Sequence, residues 1–228
     1  MSFKNKIYDL RRTFFGTYGV ESPIFLASEN PYTYFLPQQN WLDAIEKDDL
    51  VKLVFIGTPI GREWDAKRMW VKIFSINNDF ITGTLENEPN DMPQLSKGAV
   101  INFLKTDVID IIFDDSNTER EIPPYDKKRE FWDRCLVDDC VLDVTAKVHY
   151  LYREEPDRTS DEDKFPDSGW RIRGDYRNIS DEECDARTAS YIALGKVLNK
   201  DDAWLHLIDE PIGCRYIRNF DTHTFEEE

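Results

Sequence analysis

Residues 69–85 read MWVKIFSINNDFITGTL. Two apolar runs rich in aromatic and β-branched residues, Met69–Ile76 and Asp79–Leu85, flank the pair Asn77-Asn78. Asparagine tolerates the positive φ that a two-residue hairpin loop requires, so this stretch predicts a tight antiparallel hairpin turning at Asn77-Asn78. Upstream, Leu50–Ile56 (LVKLVFI) is almost continuously apolar, the pattern of a strand buried on both faces. Downstream, Ala99–Leu104 and Asp107–Phe113 predict two further strands. About five short strands of this kind suggest a small curved β-sheet or a partly open barrel, with Trp70, Phe74 and Phe80 in its core. A short helix is expected over Gln39–Lys47, with Trp41, Leu42 and Ile45 on one side. The first forty or so residues have weak periodicity and hold Pro23, Pro31 and Pro37, and so predict loop and short strand.

Ser116–Asp126 (SNTEREIPPYD) is polar and carries Pro123-Pro124, the composition of a linker. The expected organisation is a β-rich domain over 1–117 and a mixed α+β domain over 118–228, and the fold class is α+β. In the second domain, strands are expected at Arg134–Val137, Lys147–Arg153, Gly169–Arg173 and Ile212–Arg218. Ser180 and Glu183 fit a capping box, predicting one main helix over Glu182–Leu198. Trp204, Leu205 and Ile208 add a short helical turn, and the tail Glu226–Glu228 is expected to fray.

Composition narrows the function. The chain of 228 residues is 40% hydrophobic and 13% aromatic, enough to bury a core. Its 45 acidic and 29 basic residues give a net charge of −16. Such a surface repels the phosphates that dominate nucleic-acid binding, and it disfavours anionic membranes for the same reason. It attracts a basic protein partner. The N-terminus lacks a continuous apolar segment of signal-peptide type, and no run approaches the roughly 20 apolar residues of a membrane span, so a cytoplasmic location is expected. Cys135, Cys140, Cys184 and Cys214 form no C-x-x-C pair, and the histidines are His149, His206 and His223. No metal-ligand spacing is present, and no metal or other cofactor is expected.

The densest local feature is the segment Arg153–Arg171, which holds Glu154, Glu155, Asp157, Asp161, Glu162, Asp163 and Asp167. A hairpin across it would bring Tyr152-Arg-Glu-Glu-Pro-Asp157 beside Asp167-Ser-Gly-Trp-Arg171. One reading is a docking surface for a basic partner, carried by Tyr152, Arg153, Glu154, Glu155, Asp157, Asp167, Ser168 and Trp170, with Tyr152 or Trp170 as an aromatic anchor. The other is a solvated loop whose Arg153 and Arg171 are tied to local carboxylates. Ser168 lacks the first glycine of a nucleophile elbow, and His149 reads as a core strand histidine, so no catalytic residue is assigned.

These two motifs, with Gly174-Asp175 and Leu207-Ile-Asp-Glu-Pro-Ile-Gly213, resemble the domain of unknown function 2185, the immunity protein 33 family of polymorphic toxin systems. Arg158–Pro166 is an insertion between the motifs. Met69-Trp-Val-Lys72, Gly83-Thr-Leu85, Asn87-Glu-Pro89, Leu95 with Gly98, and Asp107–Ile112 resemble a second family, the domain of unknown function 2314. The resemblance implies a bacterial immunity protein that neutralises a toxin partner by stoichiometric contact. It supplies no catalytic residues. Two alternatives stay open from the residues themselves: a small hydrolase or ligand-binding enzyme using the carboxylate-rich loop 154–167, and a structural module without a toxin link.

Overall fold

A computed structural model describes residues 3–116, 119–158 and 164–228. It is α+β, with two six-stranded sheets and short helices. The chain divides into two compact units, one of residues 1–28 and 35–127, the other of residues 29–34 and 128–228. Among the described residues no helix is long and apolar enough to cross a membrane.

The first unit is an antiparallel sheet of β1 (Thr17–Glu21), β2 (Leu50–Thr58), β3 (Ala66–Asn77), β4 (Phe80–Leu85) and β5 (Val100–Leu104), in that spatial order. β6 (Asp110–Ile112) then pairs with β2 at Leu50–Lys52, on the edge β2 shares with β1. A 3-10 turn at Lys105–Asp107 starts the link from β5 to β6. Crossing from one side of the sheet to the other in so few residues requires the sheet to curl nearly closed. The interior receives Val51, Leu53 and Phe55 of β2, Met69, Val71 and Ile73 of β3, and Ile81, Leu85, Ile101 and Phe103 of β4 and β5.

The hairpin forms with its turn one residue later than expected. Asn77 pairs with Phe80, leaving Asn78-Asp79 as the loop, and Asn78 carries the positive φ of 54°. A bulge between Ile73 and Ser75 absorbs one residue. It ends the inward set at Ile73. Trp70 and Phe74 on β3 and Phe80 on β4 lie on the outward side of the alternation, where Phe74 and Phe80 are exposed and Trp70 is half-buried. β2 alternates inward Val51, Leu53 and Phe55 with an outward Lys52, whose ammonium lies 4.3 Å from the Trp70 ring centroid. On that outward face Val54 is buried while Lys52 and Ile56 are half-buried, so β2 is covered on both faces only at its centre. The N-terminal segment was expected to be loop with a short strand, but it also forms α1 (Phe3–Phe15) and α2 (Ile24–Glu29). Much of the apolar surface of both helices stays exposed, as at Phe14, Phe15 and Phe25, so periodic burial gave little signal. α3 spans Gln39–Asp43, shorter than expected.

The second unit is a mixed sheet in the order β10-β7-β9-β8-β11-β12, built from β7 (Arg134–Asp138), β8 (Val148–Arg153), β9 (Asp167–Gly174), β10 (Ala189–Ala193), β11 (Arg215–Asn219) and β12 (Thr224–Glu227). β7 and β9 are parallel, and the other pairs are antiparallel. α4 (Asp139–Leu142) follows β7. Trp170 and Trp204, both fully buried, meet at 5.7 Å between ring centroids in the core.

The single helix expected over Glu182–Leu198 is instead α5 (Asp181–Asp185), β10 and α6 (Leu194–Leu198). The capping box does form: Glu183 N–H donates to Ser180 Oγ at 3.2 Å, and Ser180 N–H donates to Glu183 Oε2 at 3.0 Å. It starts only one turn and a half of helix. Thr188 and Ser190 hydroxyls both donate to Asp139, and Ala189–Ala193 pairs in full with β7. Tertiary pairing of this stretch outweighs its modest helical preference. The acidic C-terminus, expected to fray, is the edge strand β12.

The first unit is closed by a buried ion pair. Asp49 is 0% exposed and accepts hydrogen bonds from Arg120 at 2.6 and 2.8 Å and from the backbone N–H groups of Glu46 and Asp114 at 2.7 and 2.8 Å. Arg120→Ala leaves that carboxylate buried and underpaired, so the expected loss is about 3–5 kcal/mol. Lys52→Ala removes an exposed pair with Asp110 and is expected to cost under about 1 kcal/mol. Chemical denaturation of the full-length chain, followed by tryptophan fluorescence, measures both.

Candidate functional site

The site is built on the hairpin of β8 and β9, in which Arg153 pairs with Trp170 and Tyr152 with Arg171. Arg171 is its centre. The side chain is only 3% exposed, yet its guanidinium meets three carboxylates. Nε donates to Glu154 Oε1 at 2.5 Å, one terminal nitrogen to Asp157 Oδ1 at 2.6 Å, and both terminal nitrogens to Asp167 at 3.0 Å. A planar fork of five donors suits this arrangement, whereas a lysine ammonium cannot reproduce it.

Asp167 is the buried member, with its side chain 0% exposed. Besides Arg171 it accepts from the N–H of Gly169 at 3.0 Å and of Arg158 at 3.3 Å. Burial pushes its carboxyl upward, but the hydrogen bonds from Arg171 and Gly169 outweigh this and hold it below the ordinary carboxylate value. The hydrogen bond to Asp167 in turn raises Arg171 above its usual range against the opposing effect of burial, with the hydrogen bond to Glu154 and the charges of both carboxylates adding to it. The Asp167–Arg171 pair is therefore ionised at neutral pH.

The neighbouring residues fix the backbone around it. Gly169 has φ +81°, and a Cβ there would lie 2.1 Å from the carbonyl oxygen of Glu154. Glycine is required on both counts. Glu154 N–H donates to Gly169 O at 3.0 Å, closing the hairpin. Ser168 Oγ donates to Arg134 O at 2.7 Å and accepts from Trp170 N–H at 3.3 Å. Arg153 donates to Ser168 O at 3.0 Å and to Glu210 O at 2.6 Å, tying the hairpin to the Leu207–Gly213 segment, and Trp170 Nε1 donates to Ile208 O at 3.2 Å.

The sequence-predicted residues thus come together, but in two layers. Asp167, Ser168 and Trp170 are buried, Tyr152 and Arg153 are half-buried, and Trp170 presents no surface. Glu154 and Asp157 are 43% and 67% exposed while bound to Arg171. Glu155 is exposed, with no ion-pair partner among the described residues. Asp161, Glu162 and Asp163, counted in the acidic loop, lie outside the described residues. Arg171 itself was not among the predicted binding residues. The signal was present, since it sits four residues after Asp167 in a strand where every other position but Arg173 is buried.

His149 is buried near the start of β8, between Tyr176 and Phe220, with Nδ1 at 3.7 Å from Asp175 Oδ1. Burial depresses its pKa, against the pull of Asp175. Arg177 lowers Asp175 to about 2. Both carboxylates with resolved shifts on this strand pair, Asp167 and Asp175, are moved away from neutrality, opposite to what a general acid needs. Among the described residues no group of three or more His, Cys, Asp or Glu side chains converges to hold a metal.

The class these features define is a two-unit α+β protein whose second unit displays an arginine-clamped acidic hairpin. Residues 135–227 match the Immunity protein Imm33 domain family. Residues 26–120 match a family of uncharacterized proteins conserved in bacteria, DUF2314. The two resemblances read from the sequence motifs fall on these same halves. No curated protein and no solved structure matches the chain.

Two outcomes follow for the cluster. Arg171→Lys keeps the charge but loses the fork, and the second unit should lose about 2–4 kcal/mol, while Glu155→Ala should stay within about 0.5 kcal/mol. Because Asp167 is depressed in the folded state, its contribution is present above the ordinary carboxylate pKa of 3.8 and disappears as pH falls below it. Thermal unfolding across pH 6 to 2 should show stability falling in that acid range, and Asp167→Asn should flatten the dependence.

Proposed function

We propose that the protein is an immunity protein that neutralises a toxin by stoichiometric protein–protein contact, without catalysis. The match of residues 135–227 to the Imm33 domain carries this reading, because immunity proteins act on a protein partner. The docking face is the outer layer of the Arg171 cluster: Glu154, Glu155 and Asp157, with the half-buried Tyr152 at its edge. Asp167, Ser168 and Trp170 support it from beneath. A rigid backbone presenting carboxylates at fixed positions loses little entropy on binding. Their negative charge, on a chain of net −16, steers a basic toxin domain.

The lowered Asp167 carboxyl, paired with Arg171, favours binding over acid–base chemistry at the same loop. Ser168 supports the same reading, since its hydroxyl is already committed to Arg134 O and Trp170 N–H.

The test uses toxin domains encoded in the neighbourhood of this gene. Calorimetric titration should give a one-to-one complex, and co-expression should restore growth. Glu155→Lys should lower the association rate roughly tenfold at low salt and weaken its salt dependence, with unfolding unchanged. An unchanged association rate would remove the docking role from this loop. Failure of the wild-type chain to bind any neighbouring toxin would remove the immunity reading.

A further inference from the structure

The segment Ile122–Asp126 has no regular secondary structure, yet it does not hang free of the first unit. Three side chains around the start of α3 hold its backbone. Trp41 Nε1 donates to Pro123 O at 2.8 Å, Asn40 Nδ2 donates to Pro124 O at 3.2 Å, and Gln38 Nε2 donates to Asp126 O at 2.6 Å. Gln38 also accepts from Asp126 N–H at 3.3 Å. The Tyr125 ring lies 4.8 Å from that of Trp41, and Phe113 packs edge-on against the indole at 5.0 Å. Upstream, Arg120 anchors the strap to the buried Asp49.

These contacts read main chain rather than side chain. Proline fixes φ near −65°, and each residue before a proline is driven to extended or polyproline II conformation, which here covers Ile122, Pro123 and Pro124. Such a segment presents carbonyls without internal hydrogen bonds and is already ordered before it binds. An indole N–H and two amide side chains beside aromatic rings are the chemistry that captures it. The groove is also longer than its occupant. A cleft of about 360 Å³ continues beside the strap, lined by apolar and aromatic residues including Phe35, Pro37, Trp41, Ile111 and Tyr125, with Asp110 as its one charged member.

We propose that the Trp41 groove is a docking surface for an extended, proline-containing segment of another protein, occupied in cis by the chain's own Ile122–Asp126 strap. The partner segment replaces the strap at Gln38, Asn40 and Trp41 and places a further apolar residue in the adjoining cleft. The strap competes as a tethered ligand, so a free segment meets an effective concentration set by the anchor at Arg120. This surface belongs to the first unit and is independent of the acidic hairpin proposed as the toxin-binding face.

The test uses the full chain and the peptide Glu-Ile-Pro-Pro-Tyr-Asp-Lys, the sequence of residues 121–127. A loosened strap carries Pro123→Gly, Pro124→Gly and Tyr125→Ala, substitutions at partly or fully exposed positions. Binding is followed through the Trp41 indole N–H resonance, assigned with Trp41→Phe. The loosened chain should bind the peptide roughly tenfold or more tightly than the wild-type chain, which its strap inhibits. A peptide with both prolines changed to glycine should bind roughly fivefold or more weakly. Adding Trp41→Phe to the loosened chain should abolish the tighter binding while unfolding remains cooperative. Equal binding by the wild-type and loosened chains overturns the proposal, as does no binding by a folded loosened chain or equal binding of the glycine peptide. A wild-type dimer that the strap substitutions dissociate would assign the groove to a second copy and overturn it equally.

Discussion

An arginine taken out of water keeps its proton, so it must be given carboxylates. Arg171 receives three, and the second unit is arranged around that need. β8 ends at Arg153 so that Glu154 and Asp157 can turn back onto the guanidinium. β9 starts at the buried Asp167, and the left-handed Gly169 lets its backbone approach Glu154 closely. Arg153 and Trp170 then connect the hairpin to the Leu207–Gly213 segment, which is how the four sequence motifs become one local structure.

The same device recurs elsewhere. Arg12 is 0% exposed and pairs with Asp91 at 3.0 Å, Arg120 pairs with Asp49, and Arg218 pairs with Asp201 at 2.8 Å. In each case the pair joins segments far apart in sequence or ties an irregular stretch to a sheet. Buried pairs of this kind add little net stability over an apolar contact of the same shape, but removing one partner is costly. They therefore specify which loop goes where. With so strong an acidic excess, most carboxylates remain on the surface, where they shape the field that a partner meets.

The sheet-forming segments were legible because their signals are local: β2, β3, β4, β7, β8 and β9 each follow an apolar or alternating run. What failed depended on distant partners. Residues 189–193 form a strand because β7 and Asp139 are there to receive them, which no local propensity encodes. Phe74 and Phe80 lie outside the core because each is on the outward side of its strand's alternation, opposite inward Met69, Val71 and Ile73 on β3 and Ile81 and Leu85 on β4. At the site, the sequence grouped Tyr152–Asp157 with Asp167–Trp170 but could not say which side chains face water. Trp170 looked like an anchor and is core, while the alternative that Arg171 is tied to local carboxylates is met at Glu154, Asp157 and Asp167. The Pro-Pro stretch read as linker, and the side chains that hold it, at Gln38–Trp41, lie more than eighty residues away.

The central claim is that Asp167 and Arg171 together hold the acidic hairpin in place. A double-mutant cycle of Asp167→Asn and Arg171→Gln, measured by chemical denaturation, tests it most directly. The account predicts a coupling energy above about 1 kcal/mol, since each single change strands the other group in a buried site. Additive effects within about 0.3 kcal/mol would show that the two side chains stabilise the unit independently, and would contradict it.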